Sequence, residues 1–153
     1  DIISLPAPDL FVTVVHPQIE VKTADARQIL RKEVQLKQAI RQWGNIAGLV
    51  AGILQQDHAL IGRSLEDVLI EPVRSILIPG FDQLKQRCLN AGALGGGISG
   101  SGPSVFMLSE TAACADRVAG IMQKTYGDMD VTANVYVTKI AKQGVRIELI
   151  ESV

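Results

Sequence analysis

The chain has 153 residues, enough to bury roughly two-thirds of the surface its unfolded form exposes, so one core is expected without disulfide or metal staples. Lys plus Arg (15) nearly balance Asp plus Glu (16) and aromatic residues make up 4%, so the chain has neither a basic stripe for phosphates nor a stacking platform for bases, and nucleic-acid binding is not expected. Its most apolar stretch, residues 46–54, is far too short to cross a membrane, and the chain opens on Asp1 rather than a basic leader; it reads as soluble and cytoplasmic, cut from a longer protein.

Residues 10–15, Leu-Phe-Val-Thr-Val-Val between Pro8 and Pro17, predict a buried strand. A helix follows, with Thr23 as its N-cap and Asp25 in the first turn, where a negative charge suits the helix dipole. Leu36, Ile40, Trp43, Ala47, Val50 and Leu54 alternate at spacings of four and three, the pattern of an amphipathic helix facing a core. Gly44, Gly48 and Gly52 cut a groove along the same helix, suited to close packing within the domain. Ser64 is read as starting the next helical stretch, with Asp67 completing a variant capping box, and Pro79-Gly80 as ending it. A helix over residues 81–90 closes at Gly92.

Strands around residues 93–99 and 104–109 then flank a Gly-rich loop. Residues 111–126 predict a helix ending at Gly127, with Ala115, Val118, Ala119 and Met122 inward. Val131, Ala133, Val135 and Val137 alternate with polar residues, and Val145, Ile147 and Leu149 repeat the pattern after Gln143-Gly144, which predicts a terminal hairpin. Cys88 and Cys114 share no metal-binding spacing and read as reduced, buried thiols; His16, before Pro17, and His58, in an expected inter-helix turn, read as structural. The element order predicts an α+β fold: a ferredoxin-like antiparallel sheet with helices packed on one face and a helical insertion, in one domain over residues 1–153.

The run Gly95-Gly96-Gly97-Ile98-Ser99-Gly100-Ser101-Gly102-Pro103-Ser104 carries the strongest functional signal, because residues without side chains let backbone N–H groups converge on an anion or on another loop. Gly95, Gly97 and Gly100 have dinucleotide-fingerprint spacing, but Pro103 and the apolar residues 105–108 continue as a strand where that fold needs a helix. No Gly-Lys-Ser/Thr ends the run, so a Walker loop is excluded. The bland alternative is a glycine-rich bulged hairpin that only turns the chain.

Residues 98–106, Ile-Ser-Gly-Ser-Gly-Pro-Ser-Val-Phe, resemble the third signature motif of the GHMP kinases, the small-molecule kinases for galactose, homoserine, mevalonate and phosphomevalonate. The resemblance implies the C-terminal domain of such a kinase, with Gly97, Ser99, Gly100, Ser101 and Gly102 bracing the phosphate-binding loop of an N-terminal domain. Two further segments are similar to the homoserine kinase branch: Thr23 to Arg27, and Asp67 to Arg74 continuing into Leu77-Ile78-Pro79-Gly80-Phe81. Carried over, Arg27 and Arg74 hold the homoserine α-carboxylate and Thr23 lies near the substrate. Read from the residues alone, Arg27 stands in the first turn of its helix, where the dipole disfavours a cation, and could serve a ligand or pair with Asp25 or Glu20; Arg74 could pair with Glu71.

The resemblance spans the chain as one half of a kinase. Nothing matches the family's P-x-G-x-G-x-G-S-S phosphate loop or its magnesium-binding Glu, so no catalytic residue and no metal ligand is expected here, and residues 1–153 alone should be silent. ATP and Mg²⁺ would be bound mainly by the missing N-terminal domain, which with L-homoserine is the expected partner; a homodimer is a further one. The reaction implied is ATP plus L-homoserine giving ADP and O-phospho-L-homoserine, in threonine biosynthesis. Competing readings are the C-terminal domain of another GHMP kinase, a stand-alone amino-acid-binding regulatory module, and a purely structural dimerisation domain suggested by the Gly44, Gly48 and Gly52 groove.

Overall fold

A computed structural model describes residues 1–144 and Ile147. Strands β1 (Phe11–Pro17), β2 (Gly95–Ile98), β3 (Val105–Ser109) and β4 (Ala133–Lys139) form an antiparallel sheet in the order β2-β3-β1-β4. The β-branched run of β1 takes an interior place, with Val15 opposite both Val105 and Val135. The intervening helices are α1 (Thr23–Gln28), α2 (Leu36–Gln55), α3 (His58–Ser64), α4 (Glu71–Arg74), α5 (Phe81–Asn90) and α6 (Ala112–Gly127), with a 3₁₀ turn at Ser75–Leu77. Strand, crossover, two strands, crossover and strand make a ferredoxin-like plan in which α1 to α4 are the insertion.

One face of the sheet packs on α5 and α6. Val15, Val105 and Met107 meet Leu84, Cys88, Val118, Met122 and Tyr126, all fully buried, and each large apolar side chain contributes about 1.5–3 kcal/mol. Thr13, also on this face, satisfies its hydroxyl on the Ala115 carbonyl at 3.2 Å. The insertion laps onto the other face, where Leu49, Ile53, Ile61 and Leu65 cover Val12, Phe106 and Leu108. Helices thus reach both faces, although the main core lies on one.

Both cysteines are free and buried, and burial pushes the Cys88 thiol up to about 11. Iodoacetamide at pH 8 is expected to spare Cys88 in the folded chain and label it in urea, as peptide mass spectrometry would read.

Local signals in the insertion gave way to tertiary ones. Lys22, not Thr23, occupies the N-cap of α1, which has no side-chain cap, and Thr23 is the first helical residue. Arg27 falls in the last turn of this six-residue helix, where a cation suits the dipole, so the expected electrostatic conflict does not arise. Ser64 ends α3 instead of starting a helix; Asp57 caps it, its carboxylate accepting from the Leu60 N–H at 2.9 Å, and His58 is its first residue rather than part of a turn. The Asp67 carboxylate instead accepts the N–H groups of Leu69 and Ile70, both at 2.8 Å, a turn that leads into α4. The apolar stripe of α2 does not face the core: Leu36, Ile40, Trp43, Val50 and Leu54 are exposed, and the helix packs through Gly48, Leu49, Gly52 and Ile53.

Elsewhere the sequence reading holds closely. Thr111 caps α6 by accepting from the Cys114 N–H, and Gly92, with φ +99°, follows the end of α5. The strand predicted from Val131 begins at Ala133; its partner through Val145 and Leu149 lies outside the described residues.

Candidate functional site

The glycine-rich run divides into two parts with different physical reasons for glycine. Gly95 and Gly96 lie in β2, where backbone crosses backbone: a Cβ on Gly95 would stand 2.9 Å from the Gly62 carbonyl oxygen of α3, and one on Gly96 would collide with the Phe106 carbonyl oxygen. Gly97 is buried there too, with Glu71 Oε2 2.5 Å from where its Cβ would be. Gly100 and Gly102 serve the turn, at φ +63° and +84°, a region that costs other residues about 1–2 kcal/mol.

The turn is closed by two backbone bonds, Ser99 N–H to Ser104 O at 2.8 Å and Gly102 N–H to Ser99 O at 3.1 Å. Among the described residues the N–H groups of Gly100 and Ser101 have no protein acceptor, so the exposed tip offers two free donors. At its base His16 Nδ1 lies 2.8 Å from Ser104 Oγ, a link between β1 and the loop that the sequence does not signal.

Arg74 joins this loop to the insertion. From the last turn of α4 its Nε donates to Ala26 O at 3.2 Å and one terminal nitrogen donates to Gly100 O at 3.0 Å. The guanidinium therefore spans α1 and the loop tip. Glu71, its expected partner at i−3, instead pairs with Lys85 of α5, both side chains being largely buried. Arg74 lines a cavity of about 190 Å³ together with Asp67, Ile70, Glu71, Gly97 and Gly100, which has room for a small amino acid. Arg27 and Thr23 do not line it; both are exposed on α1, Arg27 directly after the Ala26 carbonyl that Arg74 grips. Among the described residues Arg27 forms no ion pair, so its expected pairing with Asp25 or Glu20 is not found.

A larger cavity of about 520 Å³, lined by Asp67, Glu71, Asp82, Lys85 and Gly96 among others, shares Leu65, Asp67 and Glu71 with the smaller one. It lacks Arg74 and the loop tip, so the smaller cavity is the better site for an anion. Burial holds the Glu71 carboxyl above its ordinary 4.5, and the nearby Lys85 ammonium offsets this only in part. The folded chain thus binds that proton more tightly than the unfolded one. This group's contribution to stability is full below about pH 4.5 and declines as pH rises through the raised value. Glu71→Gln is expected to flatten that decline in urea midpoints measured between pH 4 and 7, whereas Lys85→Met, which strands the carboxylate, should cost about 3 kcal/mol at pH 7. No sequence spacing signals this pair, because residues 14 apart meet only when α4 packs on α5. Among the described residues no three His, Cys, Asp or Glu side chains gather as metal ligands, and no helix is long and apolar enough to cross a membrane.

Comparison with known proteins bears on the family and the fold. Residues 49–128 match the family model of the GHMP kinases C terminal. The chain is 50% identical over 141 residues to a homoserine kinase of Chloroherpeton thalassium, covering 92% of this chain and 44% of that protein. It is 47% identical over 150 residues to one of Chlorobium phaeovibrioides, covering 96% and 47%. The solved homoserine kinase of Cytophaga hutchinsonii superposes with a TM-score of 0.91 at 50% identity, over 94% of this chain and 46% of that one. A phosphomevalonate kinase of Streptococcus pneumoniae, at 15% identity and TM-score 0.63, shares the fold. The chain spans about half the length of the curated relatives it matches. With the motif loop, the ferredoxin-like sheet and these matches in agreement, the chain belongs to the GHMP kinases and carries their C-terminal domain.

Proposed function

We propose that this chain is the substrate-side half of a homoserine kinase, which transfers the γ-phosphoryl group of ATP to the hydroxyl of L-homoserine and yields O-phospho-L-homoserine and ADP. The observation that carries the reading is Arg74, whose guanidinium is fixed by carbonyls of α1 and of the motif loop while it borders a cavity of amino-acid size. A guanidinium offers a forked donor face for a carboxylate, and one already oriented by the protein loses little freedom on binding. Arg27 supplies a second cation from α1, and Thr23 lies on the same helix one turn earlier.

Holding the α-carboxylate leaves the substrate hydroxyl to face the nucleotide. The free N–H groups of Gly100 and Ser101 stand at the loop tip, where the resemblance sets the phosphate loop of an N-terminal domain; Ser99 and Gly102 close the turn that presents them, and Gly97 anchors it in β2. ATP and Mg²⁺ would be bound mainly by that other domain, where the metal would supply charge neutralisation for the transferred phosphoryl group.

The test compares ATP-dependent phosphorylation of L-homoserine, mevalonate, galactose and L-serine by the intact protein, with residues 1–153 alone as control. Turnover of homoserine by the intact protein only is expected. Preference for mevalonate or galactose would assign another substrate, and no turnover with tight amino-acid binding by this chain alone would make it a binding module. Within the active protein, an Arg27→Ala variant with unchanged KM and kcat for homoserine would remove Arg27 from the site.

A further inference from the structure

His16 is a second side chain, after Arg74, that holds the motif loop from another segment of the chain. The antiparallel register of β1 with β3 sets Val15 opposite Val105. One step further along the same register His16 meets Ser104, and its Nδ1 lies 2.8 Å from Ser104 Oγ. β1 is paired on both sides, and His16 itself stands opposite Asn134 of β4. The other stem of the loop hangs from β2, a four-residue edge strand paired with β3 alone. The His16 contact therefore ties the loop to an interior strand of the sheet.

From Ser104 the bonds run on to the loop tip. The Ser104 carbonyl accepts the Ser99 N–H at 2.8 Å, and the Ser99 carbonyl accepts the Gly102 N–H at 3.1 Å. Between Ser99 and Gly102 stand Gly100 and Ser101, whose N–H groups have no protein acceptor among the described residues. A Cβ on Gly100 would meet nothing within 4 Å, so close packing does not hold the tip there. Hydrogen bonds do: Arg74 holds the Gly100 carbonyl, and the relay from His16 holds the stem.

We propose that His16 is a positioning residue for phosphoryl transfer, fixing the loop stem so that the Gly100 and Ser101 N–H groups keep one direction toward a phosphate oxygen. The inference rests on the function proposed above. Donors already oriented need not reorganise as charge develops, whereas a stem free to swing spends binding energy on that order. Histidine and serine suit the task, because each can donate or accept and the bond forms whichever of them carries the hydrogen. A cross-strand pair that served the sheet alone would add to stability and leave the tip unchanged.

The test uses the intact protein and its His16→Leu, Ser104→Ala, double and His16→Asn variants; the asparagine amide sets a donor and an acceptor near the place of Nδ1. In His16→Leu and Ser104→Ala, kcat/KM for ATP is expected to fall about 3- to 10-fold, the range of one neutral hydrogen bond, with the KM for homoserine unchanged. The double variant should fall no further than either single one, and His16→Asn should recover part of the loss. Hydrogen exchange read by mass spectrometry needs no substrate: amides of residues 99–102 should exchange faster in His16→Leu, and those of residues 11–15 as in the unsubstituted protein. Unchanged kcat/KM for ATP overturns the proposal, even with faster exchange at the tip. An equal loss on homoserine, or faster exchange throughout β1, overturns it too and makes His16 a prop for the sheet. Absence of turnover with all four alcohols would end the kinase reading and the phosphate role with it, while unchanged exchange at residues 99–102 would refute the anchor by itself.

Discussion

Replacing Arg74 with alanine in the intact protein is expected to lower kcat/KM for L-homoserine roughly 10- to 100-fold, since a charge-assisted bond to a carboxylate is worth about 1.5–3 kcal/mol and each 1.4 kcal/mol is tenfold. Arg74 also holds Ala26 O and Gly100 O, so its loss loosens α1 and the loop tip together. Arg74→Lys should recover little, because an ammonium cannot span two carbonyls and a carboxylate as a planar fork does. Steady-state kinetics with homoserine, beside the KM for ATP, checks the assignment. A fall confined to homoserine supports carboxylate capture, and an equal rise in the KM for ATP would make Arg74 a brace for the loop instead.

The largest effect on folding is expected from Gly96→Ala, at more than about 3 kcal/mol. The added Cβ would collide with the Phe106 carbonyl oxygen and lie 2.6 Å from Met107 Sδ and 2.8 Å from Met107 Cα. Two of those three neighbours are backbone in the paired strand, so relief requires β2 to part from β3. Gly100→Ala meets nothing within 4 Å and costs only the left-handed φ, about 1–2 kcal/mol. Urea denaturation of the two variants separates the roles: a Gly96 variant no less stable than the Gly100 variant would refute the close-packing account of β2.

The glycine run shows how far local reading reaches. Its ten residues announce a site, but adjacent glycines there have unrelated causes. Gly100 and Gly102 answer to backbone dihedrals, a property of the local chain and so legible in sequence. Gly95 and Gly96 answer to α3 and β3 passing close by, at positions 62 and 106–107. The motif singles out Arg74 for attention, but its anchors on Ala26 and Gly100 have no sequence signal. The Glu71–Lys85 pair had no signal at all, since it exists only where α4 meets α5.

The α2 stripe makes the complementary point. Periodicity correctly marked an amphipathic helix, because winding is local, but it named the wrong face as the one that packs. Gly48 and Gly52 admit α3 more closely than leucine and tryptophan could, and that close approach turns the apolar arc outward.

The ferredoxin-like order of elements, the glycine end of α5 at Gly92, the buried faces of β1 and α6 and the motif that marks the family were all readable in the chain before it folds. They rest on hydrophobic period, turn chemistry and backbone dihedrals, which act between residues a few positions apart. Folding in three dimensions was needed to settle which side of α2 meets the core, where Arg74 is held, why β2 must be glycine and which carboxylate is buried beside Lys85. Each of those depends on contacts between segments distant in sequence, where free energy is set by available space and lost hydration, and neither is written in the spacing of residues along the chain.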